Sequence, residues 1–249
     1  MSEVQVKNVS FKVGSSTILN DVSAEFKEKS LTCILGPNGA GKTTLIKAIC
    51  RLLSYDGEIL INGKKSIDLD QNALAREVSY VPQSISPDLT FTVEEFVQLS
   101  RYPWHGVSEM EQSKMDEIFK LTGISDHRNQ PMKTLSGGER QRVLIAAALI
   151  QDSPVILLDE ITSALDPKYQ DQIVQLLLDI RQTGKTLIWA THDINAALIH
   201  SDSLLAMKDG KVFSYGKPEQ FLQNNTLEDL YDREFQKLEL SQNGKTVLI

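Results

Sequence analysis

Nothing in these 249 residues approaches the roughly eighteen uninterrupted apolar residues that a bilayer crossing requires, so the chain is not expected to span a membrane itself. A basic stripe is also missing. The formal charge of −7, from 33 acidic and 26 basic side chains, would repel a polyphosphate backbone, so no nucleic-acid partner is expected. The amino terminus, Met1-Ser2-Glu3-Val4, lacks the basic stretch and apolar run of a secretory leader, which points to the cytoplasm. Only two cysteines occur. Cys33 lies in an apolar run and Cys50 near the end of a predicted helix, a placement that suits two buried reduced thiols better than a disulfide. Internal repeats, low-complexity tracts, Pro-rich linkers and sustained heptads are absent as well, so one compact domain with subdomains, residues 1–249, is expected.

What is present is a change of period along the chain. Val4, Val6, Val9, Phe11 and Val13 stand out in an alternating segment, and the turn Gly14-Ser15-Ser16 leads into more strand-like sequence. This predicts antiparallel strands. Gly57 to Gly63 predicts another short strand, ending in an Asn62-Gly63 turn whose residues tolerate positive φ. Three continuous apolar runs differ: Leu31 to Leu35, Val155 to Leu158 and Leu187 to Ala190. Such runs are expected of parallel strands buried on both faces. Between the first two, about 84–150 reads as a helical subdomain, with helices over Val93 to Leu99, Glu109 to Leu121 and Glu139 to Ile150. After the third run, a helix over Ile194 to Ile199 and a strand over Ser203 to Met207 are expected, and Asp209-Gly210 turns into a strand over Val212 to Tyr215. The tail from Lys217 is weakly patterned.

Gly36-Pro37-Asn38-Gly39-Ala40-Gly41-Lys42-Thr43 has the spacing Gly-x-x-x-x-Gly-Lys-Thr, between the apolar strand ending at Leu35 and the helix-forming Thr44 to Leu53. A glycine-rich turn can imitate part of this pattern, but the strand before it and helix after it are the context that phosphate binding needs. Glycines turn backbone N–H groups onto phosphates, and the helix amino terminus adds partial positive charge. Lys42 neutralises the β and γ phosphates, and the Thr43 hydroxyl can ligate Mg²⁺. The loop predicts nucleotide binding without choosing among kinases, GTPases, motors and transporters.

Val155 to Leu158 delivers Asp159 and Glu160 at a strand's carboxyl end, where ligands bind in open α/β sheets. Asp159 is placed to hold Mg²⁺, directly or through water, and Glu160 to act as general base on the attacking water. Strand alternation would point the two carboxylates to opposite sides. His192, which ends the third run, is the candidate partner of Glu160.

Leu135-Ser136-Gly137-Gly138-Glu139-Arg140-Gln141-Arg142 could be a plain helix start with capping-box spacing between Ser136 and Glu139. It also resembles the signature of the ATP-binding cassette family. The family's other elements follow its order in this chain: Gln83 in Val81-Pro82-Gln83, Ser163-Ala164-Leu165-Asp166 after the acidic pair, and His192. That resemblance covers nearly the whole chain. It implies an α/β fold with a P-loop (RecA-like) core, an N-terminal antiparallel β subdomain and an inserted helical subdomain, together with ATP hydrolysis using ATP and Mg²⁺. It further implies a head-to-tail dimer with a second copy, in which Gly36 to Thr43, with Thr44, meet Ser136-Gly137-Gly138 of the other copy across each ATP. By the same resemblance Gln83 senses Mg²⁺ and couples to a polytopic permease at the cytoplasmic face of a prokaryotic membrane, and Asp166 communicates across the dimer.

Thr92 to Gly106, with Arg101-Tyr102-Pro103, is similar to the matching segment of importer ATPases for iron–siderophore complexes, whose near relatives serve haem and vitamin B12. A solute-binding protein is then an indirect partner. The rival reading is a soluble cassette ATPase of translation or DNA repair. Those proteins usually join two cassettes or carry a long coiled coil, whereas this chain has one of each motif. A regulatory module without turnover is disfavoured by Glu160 and His192.

Two positions depart from the family pattern. Ile161 stands where proline usually follows the glutamate, and Val13 stands where an aromatic residue usually stacks on adenine, with Phe11 two residues earlier. Valine lacks the extra ~0.5–1.5 kcal/mol of an aromatic pair. Val13→Tyr is therefore expected to lower the ATP dissociation constant in a direct titration; an unchanged or higher value would mean that adenine lies elsewhere.

Overall fold

The computed structural model describes residues 2–85, 89–105, 112–163, 165–223, 225–240 and 245–249. Strands β1 (Ser2–Val13) and β2 (Ser16–Lys27) pair antiparallel, as the alternation predicts. The alternation changes phase part-way. Asn8 has φ 51°, the register slips between Val6 and Val9, and Val4, Val6 and Val9 all face the core while Val13 is 60% exposed. The bulge at Asn8 brings Val9 to the core face, and two further register slips, between Val9 and Phe11 and between Phe11 and Lys12, precede the exposed Val13.

Strand β3 (Leu31–Leu35) leads through the glycine-rich loop into helix α1 (Lys42–Ile49). Strands β4 (Asp56–Ile61) and β5 (Lys64–Lys65) join β1 and β2 in a four-stranded sheet, in the order β2-β1-β4-β5. Their connection has φ 50° at Asn62 and 75° at Gly63, as expected of a two-residue turn that matches strand twist.

Helix α2 (Gln71–Glu77) runs into strand β6 (Val78–Val81), and helices α3 (Val93–Leu99), α4 (Gln112–Thr122) and α5 (Gly137–Ile150) follow. All three predicted helices of this region are present. The predicted start at Glu109, and Gly106 of the segment from Thr92, lie outside the described residues. Arg128 ties the group together. It reaches Glu94 at 3.1 Å and Asp116 at 2.8 Å, and its guanidinium lies 4.8 Å from the Phe119 ring centre.

Strand β7 (Val155–Asp159), helix α6 (Pro167–Gln182), strand β8 (Thr186–Ala190), helix α7 (Ile194–His200) and strands β9 (Ser203–Lys208) and β10 (Lys211–Gly216) complete a six-stranded sheet. Its order is β10-β9-β3-β8-β7-β6, with all neighbours parallel except β10. Helices α8 (Pro218–Gln223) and α9 (Thr226–Tyr231) and a hairpin of β11 (Lys237–Leu240) and β12 (Lys245–Leu248) end the chain.

The three apolar runs are buried throughout because each strand faces two cores. Leu31, Cys33, Ile156, Leu158, Leu187 and Trp189 pack with α5, α6 and α7, whereas Ile34, Val155, Leu157, Ile188 and Ala190 pack with α1 and the antiparallel sheet. A strand covered on both faces loses the polar alternation of a half-exposed one. Cys33 is fully buried and Cys50 partly so; both are free thiols, as expected, and burial holds both well above the ordinary thiol value. Among the described residues, no helix is long and apolar enough to cross a membrane.

Candidate functional site

The loop Gly36 to Thr43 leaves β3 at the carboxyl edge of the parallel sheet and ends on α1. Its tip, Asn38 and Gly39, is exposed, Pro37 and Thr44 are partly so, and Ala40 is buried. Gly41 has φ 99°, and a Cβ there would come within 2.9 Å of the Leu19 side chain, so the turn into α1 needs glycine on two counts. Lys42 is 4% exposed. Its Nζ donates to the carbonyls of Gly36 at 2.9 Å and Pro37 at 3.3 Å and lies 3.7 Å from Glu160 Oε1. Burial pushes the ammonium below its ordinary value, and the charges of Glu160 and Asp159 act against that.

Asp159 sits at the end of β7, 3% exposed. Thr43 Oγ1 donates to its Oδ1 at 2.8 Å and the Tyr80 hydroxyl donates to its Oδ2 at 3.2 Å. Burial raises the carboxyl above its ordinary value; the two donors oppose the rise and Glu160 adds to it. Thr43 and Asp159, both predicted to meet Mg²⁺, are thus in contact. Their hydroxyl and carboxylate oxygens suit a hard cation, which takes one or two carboxylates and completes its shell from phosphate and water. Gln83, the third predicted metal contact, bonds elsewhere: its Nε2 donates to Ser163 Oγ at 3.0 Å, which donates to the Glu160 carbonyl at 2.9 Å.

Strand geometry ends at Asp159. Glu160 takes φ 50°, its N–H donating to the Ala190 carbonyl at 2.8 Å. The alternation expected to separate the two carboxylates is therefore replaced by a left-handed kink, which sends Glu160 toward the neighbouring strand. His192 Nε2 lies 2.6 Å from Glu160 Oε1, so the expected pair is brought together. Ile161 is 2% exposed and packs into the core beneath this kink, a role for which its place in the sequence gives no signal.

Ser136, Gly137 and Gly138 open α5. Ser136 N–H and Oγ both donate to Glu139 Oε2 at 2.8 Å, and the Glu139 N–H donates back to Ser136 Oγ at 3.4 Å, so the capping box is present. The Ser136 backbone amide, above all, holds the Glu139 carboxyl below its ordinary value. A Cβ on Gly138 would stand 3.0 Å from the Tyr169 ring. Among the described residues, no hydrogen bond joins this turn to Gly36–Thr43 of the same chain. Asp166 precedes Pro167 at the head of α6, and its side chain makes no capping bond; Ala164 lies outside the described residues. Val13 is exposed, while Phe11 packs partly against the core.

Sequence reasoning passed over Tyr80. Its position, three residues before Gln83 on β6, is a signal only once β6 and β7 are known to be neighbours.

Three comparisons bear on this geometry. The family model described as ABC transporter matches residues 19–163. The petrobactin import ATP-binding protein YclP of Bacillus subtilis (strain 168) is 33% identical over 233 residues, 92% of each chain. The hemin import ATP-binding protein HmuV of Aliivibrio fischeri is 32% identical over 92% of this chain and 90% of its own. Among solved structures, cbiO1 from Clostridium perfringens, part of the complex cbiONQ, superposes with a TM-score of 0.77 at 28% identity, covering 92% of this chain and 93% of that one.

Burial at Asp159 has a measurable sign. A carboxyl raised on folding adds stability below the ordinary carboxylate range and loses it as pH rises through the raised value. Asp159→Asn removes that loss. Measured without added nucleotide, its melting temperature should exceed that of the parent at pH 7, and the gap should close below about pH 4. A lower melting temperature at pH 7 would show that the bonds from Thr43 and Tyr80 outweigh burial.

Proposed function

This chain belongs to the ABC transporter family of ATPases, and from that premise we propose that it powers a membrane importer for iron–siderophore complexes or the related cargoes haem and vitamin B12. The observation that carries the hydrolytic half is the 2.6 Å contact between His192 Nε2 and Glu160 Oε1, with Lys42 3.7 Å from that oxygen. The chain acts as one cassette, residues 1–249, with 84–150 as its helical part.

In this reading the γ-phosphate lies between Lys42 and Glu160. The loop's N–H groups and Lys42 stabilise charge on the phosphate oxygens, and Glu160 takes a proton from the attacking water as the new P–O bond forms and the bond to ADP breaks. His192 holds the Glu160 carboxylate in place. Bound Mg²⁺, held by Thr43 and Asp159 with Gln83 near it, would supply charge neutralisation. Among the described residues Ser136-Gly137-Gly138 make no hydrogen bond to the chain's own loop, which supports a second copy arranged head to tail, each capping the other's ATP. The Gln83–Ser163–Glu160 chain of bonds then links the hydrolytic residue to the segment preceding Asp166 and to the permease side. Closure on ATP and reopening after hydrolysis would move the attached permease.

Support for the cargo comes from the relatives and from Arg101-Tyr102-Pro103. Tyr102 is 71% exposed, while the Arg101 guanidinium stacks 4.8 Å from the Trp104 ring centre. A structural helix stop accounts for Pro103 but leaves Tyr102 unexplained.

Glu160→Gln should bind ATP as tightly as the parent, accumulate as a dimer in ATP on size exclusion, and hydrolyse about 10²–10⁴ times more slowly. Parent-like turnover would remove Glu160 as the base. For the cargo, cells lacking the chain should lose uptake of labelled ferric siderophore, haem or vitamin B12; undiminished uptake of all three would overturn the assignment.

A further inference from the structure

The tail after β10 carries none of the site motifs, yet one of its side chains reaches the first residue of the phosphate loop. Tyr231, the last residue of α9, places its hydroxyl 3.2 Å from the Gly36 nitrogen, where it accepts the Gly36 N–H across 195 residues of sequence. Gly36 is buried, and its N–H points off the sheet at the place where β3 gives way to the loop. A buried N–H without an acceptor costs about as much as a lost hydrogen bond, so the phenol oxygen satisfies a need the sheet leaves unmet.

The surroundings fix both partners. On one side, the carbonyl of Met207 in β9 approaches so closely that a Cβ at Gly36, whose φ is 151°, would collide with it. On the other, Lys208, the next residue, donates to the Asp229 carbonyl at 2.6 Å and to both Asp232 carboxylate oxygens at 2.9 Å, holding α9 to β9. Leu227 and Leu230 are buried, and the Tyr231 ring meets Phe235 edge-on at 6.3 Å. The Gly36 carbonyl is the group that accepts from Lys42. Gly36 is thus held at its N–H by Tyr231 and at its carbonyl by Lys42.

We propose that Tyr231 is a positioning residue for the phosphate loop: by accepting the Gly36 N–H it sets the angle at which the loop leaves β3 and hence where its later amides point. This rests on the reading of Gly36–Thr43 as the ATP site. The C-terminal segment then forms part of the nucleotide site without touching nucleotide, and whatever displaces α9 alters ATP affinity.

Tyr231→Phe keeps the ring and removes the acceptor. In the full chain it should raise the dissociation constant of a fluorescent ATP analogue and the KM for ATP roughly three- to tenfold, with kcat within about twofold, as expected for one lost hydrogen bond. Phe235→Leu disturbs the packing of the same ring but leaves the hydroxyl, and should leave KM unchanged at a comparable loss of melting temperature. Parent-like KM in Tyr231→Phe, or an equal rise in Phe235→Leu, would overturn the proposal. Lys42→Ala is the control: if it still bound the analogue, the ATP site itself would be misplaced and the Tyr231 result would not be the cause.

Discussion

The carboxyl ends of β3, β8 and β7 lie side by side because parallel pairing in register sets Ile34 beside Ala190 and Ala190 beside Asp159. Three connections leave the sheet along that edge, and each carries one part of the proposed chemistry. After β3 comes the loop with Lys42, after β7 come Asp159 and Glu160, and after β8 comes His192. None of these side chains could meet the others if one strand slipped by a residue, since a slip would also turn every buried side chain toward the opposite core. The two cores that fix the register therefore fix the distances at the site.

Charge at that edge is held against burial. Lys42 is pushed below and Asp159 above their ordinary values, in each case mainly through loss of water, and each is partly restored by neighbours. Such a site is costly to assemble and gains most from a ligand that supplies the missing opposite charge. In the proposed function a triphosphate opposite Lys42 and a hard cation beside Thr43 and Asp159 would answer those two needs and so give the proposed ATP-driven closure a physical source.

The site also extends beyond its motifs. Tyr80 holds one oxygen of Asp159 from the edge strand β6, Ser163 passes a hydrogen bond from Gln83 to the Glu160 backbone, and Tyr231 reaches Gly36 from the tail. These contacts connect the parts proposed to bind metal, hydrolyse ATP and bind phosphate to three further regions: the segment of Gln83, the segment before Asp166, and α9. Ile161 adds a fourth connection by seating the Glu160 kink in the core.

The sequence by itself determined the parts whose information is local. Glycine spacing between a strand and a helix, adjacent carboxylates after an apolar run, and a serine three residues before a glutamate all declare themselves within a few residues, because backbone turns and caps depend on near neighbours. Continuous apolar runs likewise announced the doubly covered strands. The tertiary structure alone decided what depends on strand order and backbone handedness. The alternation rule sent Glu160 away from Asp159's side, but the left-handed kink at φ 50° and the bond to Ala190 aimed it at His192. Register slips along β1 put Val9 in the core and Val13 in solvent, and the approach of α9 brought Tyr231 to Gly36. These are pairings between distant segments, set by packing on a shared sheet, and no window of sequence contains both partners.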